Sequence, residues 1–120
     1  VAFDVIFDRE TPLPARGEVH TLERRYRPAH DLGHFRFVEC SGVDRAGAPE
    51  GELSLFADVR FPFAPELQHE GVDLASHRVQ RLPSLGATIR ERYELDPHGL
   101  VRLSITDEAT GFERVFELRR

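Results

Sequence analysis

The residues best suited to chemistry are the histidines, the single cysteine and the carboxylates. His30-Asp31-Leu32-Gly33-His34 sets two of the six histidines at i and i+4. On a helix, that spacing puts two imidazoles on one face, where they can hold zinc. The glutamate base of such metal helices is missing, and Gly33 lies in what reads as a loop-to-strand entry. The expectation is therefore two solvated histidines and no metal. His20, His69, His77 and His98 are scattered. Cys40 would be a nucleophile only beside a base that lowers its pKa; at the end of a probable strand it reads as packing. Ser41-Gly42 and Ser84 lie in no nucleophile elbow, and Gly42, Gly47 and Gly51 lack the strand–turn–helix setting of a phosphate loop. The carboxylates alternate with arginines, as a solvated sheet face requires, and show no acid–base pair across a cleft. Arg24-Arg25-Tyr26-Arg27 and the arginines of 90–92 could touch an anion, but they read as outward strand faces balanced by Glu23, Glu91 and Glu94. No catalytic residue and no metal ligand is expected.

The elements that carry these residues must fit in 120 residues, one domain's worth of chain. With 40% hydrophobic and 31% charged residues it should fold. A net charge of −5 argues against nucleic acid as a general partner. No apolar run approaches the roughly 18 residues of a membrane span. The chain starts at Val1 without a charged-then-apolar leader, which reads as a fragment or processed piece. One cysteine rules out an internal disulfide and fits a reducing, cytoplasmic compartment. Every basic residue except histidine is arginine, so the surface should be laced with Arg–Glu pairs, each worth at most about 1 kcal/mol.

Alternation with period two dominates. Phe3, Val5 and Phe7 share one face; so do Leu53, Leu55, Ala57, Val59 and Phe61; so do Val101, Leu103 and Ile105. Phe112, Phe116 and Leu118 oppose Val115, and Ile89, Tyr93 and Leu95 share their face with Glu91. Asp96-Pro97-His98-Gly99 and Ala109-Thr110-Gly111 are turns. Residues 87–95, 100–106 and 112–119 therefore read as three consecutive antiparallel strands. Residues 18–25 and 34–40 read as strands upstream, with a loop over 41–51. Thr11-Pro12-Leu13-Pro14 interrupts the pattern. Residues 65–70 offer one helical turn, and 78–82 a short edge strand inside the long segment 62–86. The pattern predicts an all-β fold, an antiparallel sandwich of about seven to eight strands.

The C-terminal third carries a resemblance. Asp96-Pro97-His98-Gly99-Leu100-Val101-Arg102-Leu103-Ser104-Ile105-Thr106-Asp107-Glu108-Ala109-Thr110-Gly111 resembles the D-x-x-G-[IL]-[LV]-x-[VL]-[ST]-A-x-D-x-x-T-G stretch of the DnaK-type, seventy-kilodalton heat-shock chaperones, with Ile105 at the family's alanine. Ile89-Arg90-Glu91-Arg92-Tyr93-Glu94-Leu95 is similar to the family's I-E-V-T-F-x-I strand. Arg9-Glu10-Thr11-Pro12-Leu13-Pro14 resembles R-N-T-x-I-P, and residues 34–40 resemble I-x-V-Y-E-G. These matches follow the family's order over most of the chain. Residues 62–86 depart from its L-G-x-F-x-L-x-G-I-P-P segment.

The resemblance implies the client-binding β-sandwich subdomain of a divergent bacterial chaperone, spanning residues 1–120 of a longer chain. Such a subdomain binds extended hydrophobic segments of unfolded proteins. It needs no cofactor of its own; ATP belongs to a separate actin-like domain, and the helical lid also lies outside this sequence. Co-chaperones and the parent's nucleotide-binding domain are the further partners implied, with no nucleic acid and no membrane. Carried over by position, Thr21 or Leu22 replaces a pocket-wall aromatic, and Arg24 or a neighbour up to Arg27 replaces a small arch residue. Leu32 or Gly33 falls at the central pocket and Phe35 on its floor. Leu22, Arg24, Tyr26, Leu32, Gly33 and Phe35 are thus the expected peptide-binding residues. The family's first strand, one wall of its channel, has no counterpart here. A sandwich that has kept the fold but lost peptide binding, and serves as a docking or assembly module, is the alternative.

Overall fold

Two aspartate-led turns organise the larger sheet. In a computed structural model, which describes residues 6–7, 12–46, 49–83 and 85–118, the Asp96 carboxylate accepts hydrogen bonds from the backbone N–H groups of His98 (2.8 Å) and Leu100 (3.0 Å). Asp107 does the same for Ala109 N–H at 2.9 Å. Gly99 and Gly111 supply the positive φ that each reversal needs, 84° and 77°. These turns join β4 (Ile89–Leu95), β5 (Val101–Asp107) and β6 (Glu113–Leu118) into a meander. β1 (His20–Tyr26) pairs antiparallel with β4, giving the order β1-β4-β5-β6. A long hairpin of β2 (Leu32–Val43) and β3 (Pro49–Pro62) forms the second layer.

The period-two pattern sorts the meander as expected. Ile89, Glu91, Tyr93 and Leu95 of β4 and Leu103, Ile105 and Asp107 of β5 are buried, and Leu118 of β6 joins them. Val59 and Phe61 of β3, with Phe63 just beyond it, close the core from the hairpin side. The opposite face of the larger sheet carries ion pairs: Arg25–Glu108 at 3.0 Å, Arg92–Glu94 at 3.0 Å, Arg92–Glu23 at 3.5 Å and Arg102–Glu117 at 3.8 Å. Val115 is 53% exposed on that face, opposite Phe116 and Leu118, as the alternation predicts.

Three expectations change. β2 runs on to Val43 and β3 begins at Pro49, so the predicted loop over 41–51 shrinks to its middle. Register shifts at Phe37/Val38 and Cys40/Gly42 absorb the irregular residues, and proline is tolerated as the first residue of a strand. Residues 78–82 make no strand, only a bridge between His30 and Arg81, flanked by the bonds Asp31 N–H to Gln80 O and Leu82 N–H to Ala29 O. The single helical turn expected within 65–70 is present, as a 3₁₀ turn over Pro65–Leu67. Six strands thus stand among the described residues, rather than seven to eight. The expected strand at 3–7 lies mostly outside them; Ile6 and Phe7 are described and pack against the core, half-buried.

Gln68 anchors the irregular chain after β3. Its Nε2 donates to Asp107 Oδ2 (2.7 Å) and to Pro62 O (3.1 Å), while Thr110 Oγ1 donates to its Oε1 (2.7 Å). Leu103→Ala, which opens a cavity at a fully buried site of the meander, should cost about 2–5 kcal/mol. Val115→Thr on the exposed face should change stability by less than about 0.5 kcal/mol. Urea unfolding midpoints at constant slope check both.

Candidate functional site at the seam of β1 and β2

Phe37 of β2 lies edge-on to Tyr93 of β4, with ring centroids 6.2 Å apart, and β3 approaches β6. The hairpin therefore lies with β2 toward β1. These two strands are joined through residues 27–31. Among the described residues, β1 pairs only with β4 and β2 only with β3. All six expected peptide-binding residues fall on these two strands.

Alternation turns Leu22, Arg24 and Tyr26 toward the interior, each half-buried. The Tyr26 hydroxyl donates to Glu91 Oε2, and the Tyr93 hydroxyl donates to Glu91 Oε1 at 2.6 Å. Burial, and then the bond to and negative charge of Glu91, raise the Tyr26 pKa far above its ordinary value, so the hydroxyl stays a donor. Arg24 stands directly across the ladder from Glu91, a cation on the face that holds a buried carboxylate. Glu91 is only 5% exposed, so it does not balance the outward arginines, as its place in the charge pattern implies. A carboxylate in phase with Ile89, Tyr93 and Leu95 was the available signal that it faces inward.

Phe63 is the centre of this region and carries no signal in the sequence motifs. Its ring meets Tyr26 at 6.2 Å, Phe35 at 6.3 Å and Phe61 at 5.9 Å, mostly edge to face, contacts worth about 0.5–1.5 kcal/mol each beyond their burial. Gly33 lies directly against it: a Cβ there would come within 2.5 Å of Phe63 Cζ and 2.8 Å of Phe35 Cε2. The space beside Gly33 is filled by the chain's own aromatics. Leu32 is 3% exposed and inside the core. Leu22, Arg24, Tyr26 and Phe35 remain half-buried at the seam.

Phe63 is held in place by Asp31. The Asp31 carbonyl accepts from Phe63 N–H (2.8 Å) and Ala64 N–H (2.9 Å), and its own N–H donates to Gln80 O (3.0 Å). Its carboxylate, almost wholly buried, accepts from Gln80 N–H and from His77 Nε2, both at 2.7 Å. Burial alone would raise the Asp31 pKa; the bonds from Gln80 and His77 outweigh it and hold the carboxyl below its ordinary 3.8.

The His30/His34 pair is not assembled into a metal site. His30 is exposed and makes the backbone bridge to Arg81. His34 points to the outer face of the hairpin, donating to Asp58 at 2.6 Å, a carboxylate also approached by Arg60 (3.5 Å) and Arg36 (3.9 Å). Among the described residues, no group of three or more His, Cys, Asp or Glu could hold a metal ion. The Cys40 side chain lies outside them. No protein-family model and no curated protein sequence matches the chain.

Two outcomes follow. Gly33→Ala should cost about 1–3 kcal/mol, because the ring above it must move, and chemical denaturation reads this directly. Asp31→Ala should cost about 1–3 kcal/mol near neutral pH. Because the folded pKa of Asp31 is depressed, its ionic contribution is fully present above its ordinary value of 3.8 and is lost as pH falls through the lower folded pKa. The stability gap between wild type and Asp31→Ala should therefore narrow below about pH 3.8, measured by urea unfolding across pH.

Proposed function

We propose that this domain binds extended, apolar polypeptide segments along the seam of β1 and β2, as the client-binding sandwich of a DnaK-type chaperone, and catalyses no reaction itself. The observation that carries this reading is that Leu22, Tyr26 and Phe35 are half-buried and packed against the core on β1 and β2, strands that each pair on one side only among the described residues. Backbone groups on such edges hold an extended chain whatever its sequence, and apolar side chains beside them select for hydrophobicity. On this reading ATP hydrolysis and the lid belong to other parts of a longer cytoplasmic chain. Among the described residues, no helix is long and apolar enough to cross a membrane.

A second reading has its own support. The position expected to be a pocket, Gly33, is occupied by Phe63 and Phe35. A sandwich with that pocket closed would serve as a docking or assembly module.

One titration separates the two. The chain has no tryptophan, so an apolar peptide with a single Trp can be excited selectively. Peptide binding predicts a saturable Trp emission change, weakened about tenfold, or about 1.4 kcal/mol, by Leu22→Gln or Phe35→Ala. Circular dichroism confirms that the variants fold. An unchanged Trp signal up to about 1 mM protein would leave the docking reading standing.

A further inference from the structure

At the other side of the sandwich, where β3 approaches β6, a groove of about 300 Å³ opens to solvent. Leu67 and Leu74 line it from the irregular segment after β3, Phe112 and Phe116 from β6 and its entry, and Arg60 and Arg114 from the two strands. Its size is at the lower end of ligand clefts, about 300–1,000 Å³, which suits one or two side chains.

The charges at the groove run against those of the whole chain. The protein carries −5 overall, yet two guanidiniums and one carboxylate, Glu70, line this groove. The Arg114 guanidinium sits 4.2 Å over the Phe112 ring and donates to Glu113 O at 3.0 Å. Among the described residues it has no carboxylate partner. A planar guanidinium held on an aromatic face is oriented in advance for a carboxylate. Arg60 is partly engaged with Asp58, at 3.5 Å, and Asp73 also lies within its electrostatic reach. That leaves too little positive charge for a polyanion and enough for a single carboxylate. β6, beside the groove, pairs only with β5 among the described residues.

We propose that this groove docks an extended, acidic and apolar segment of a partner polypeptide. One apolar side chain enters among Phe112, Phe116 and Leu74, and a neighbouring carboxylate meets Arg114. The site is independent of the β1–β2 seam.

The test is a low-salt titration with a Trp-bearing peptide of alternating Leu and Glu, and with its Leu and Gln counterpart. The Glu peptide should bind at least tenfold more tightly than the Gln peptide. Arg114→Gln should abolish that preference, and Arg102→Gln on the exposed sheet face should leave it intact; circular dichroism confirms both folds. Equal affinity for the two peptides, no binding up to about 1 mM, or a preference that survives Arg114→Gln would overturn the proposal. So would wild-type self-association in sedimentation that Arg114→Gln removes, because the occupant would then be a second copy of this chain.

Discussion

Asp31 is the residue on which the rest of the arrangement hangs. Through one peptide group and one carboxylate it joins three parts of the chain: the connection from β1 to β2, the residues that leave β3, and the long irregular segment at Gln80 and His77. Its carbonyl takes the first two N–H groups after β3, which swings Phe63 back over Gly33 and under Tyr26 and Phe35. A buried carboxylate is costly unless its lone pairs are used. Here both oxygens are, and the reward is a fixed direction for the chain where no regular structure would supply one.

The same logic recurs twice. Among the described residues the second layer has two strands against four in the larger sheet, and polar side chains pin the irregular chain that follows β3. Gln68 bridges Pro62, Asp107 and Thr110. Glu91 gathers the hydroxyls of Tyr26 and Tyr93, tying β1 to its neighbour β4. Among the described residues, no buried side-chain nitrogen or oxygen lacks a partner. Net gains from single hydrogen bonds are small, about 0.5–1.5 kcal/mol, but an orphaned buried group costs more. These clasps therefore act mainly as a penalty on every other path the irregular segment could take.

Legibility in the sequence followed locality. The meander was readable because its information is local: Asp96 and Asp107 open turns that glycines close, and apolar residues alternate on either side. The hairpin was half readable. Bulges at Phe37/Val38 and Cys40/Gly42 break the alternation that marks a strand, so its far end read as loop. Residues 62–86 were opaque because bonds to Asp31 and Asp107, distant in sequence, set their course. The six residues expected from the resemblance fall on β1 and β2, but Phe63, which fills the space beside Gly33, belongs to that opaque segment. A ring arriving from a distant residue leaves no mark at the glycine it covers.

The central claim is that the seam of β1 and β2 receives extended apolar chain. Amide chemical-shift mapping during addition of an apolar peptide tests it most directly. The account predicts perturbations at the backbone amides of β1 from Leu22 to Tyr26 and of β2 from Leu32 to Phe35, with β5 and β6 quiet. Shifts confined to β5 and β6, or none at saturating peptide, would contradict it.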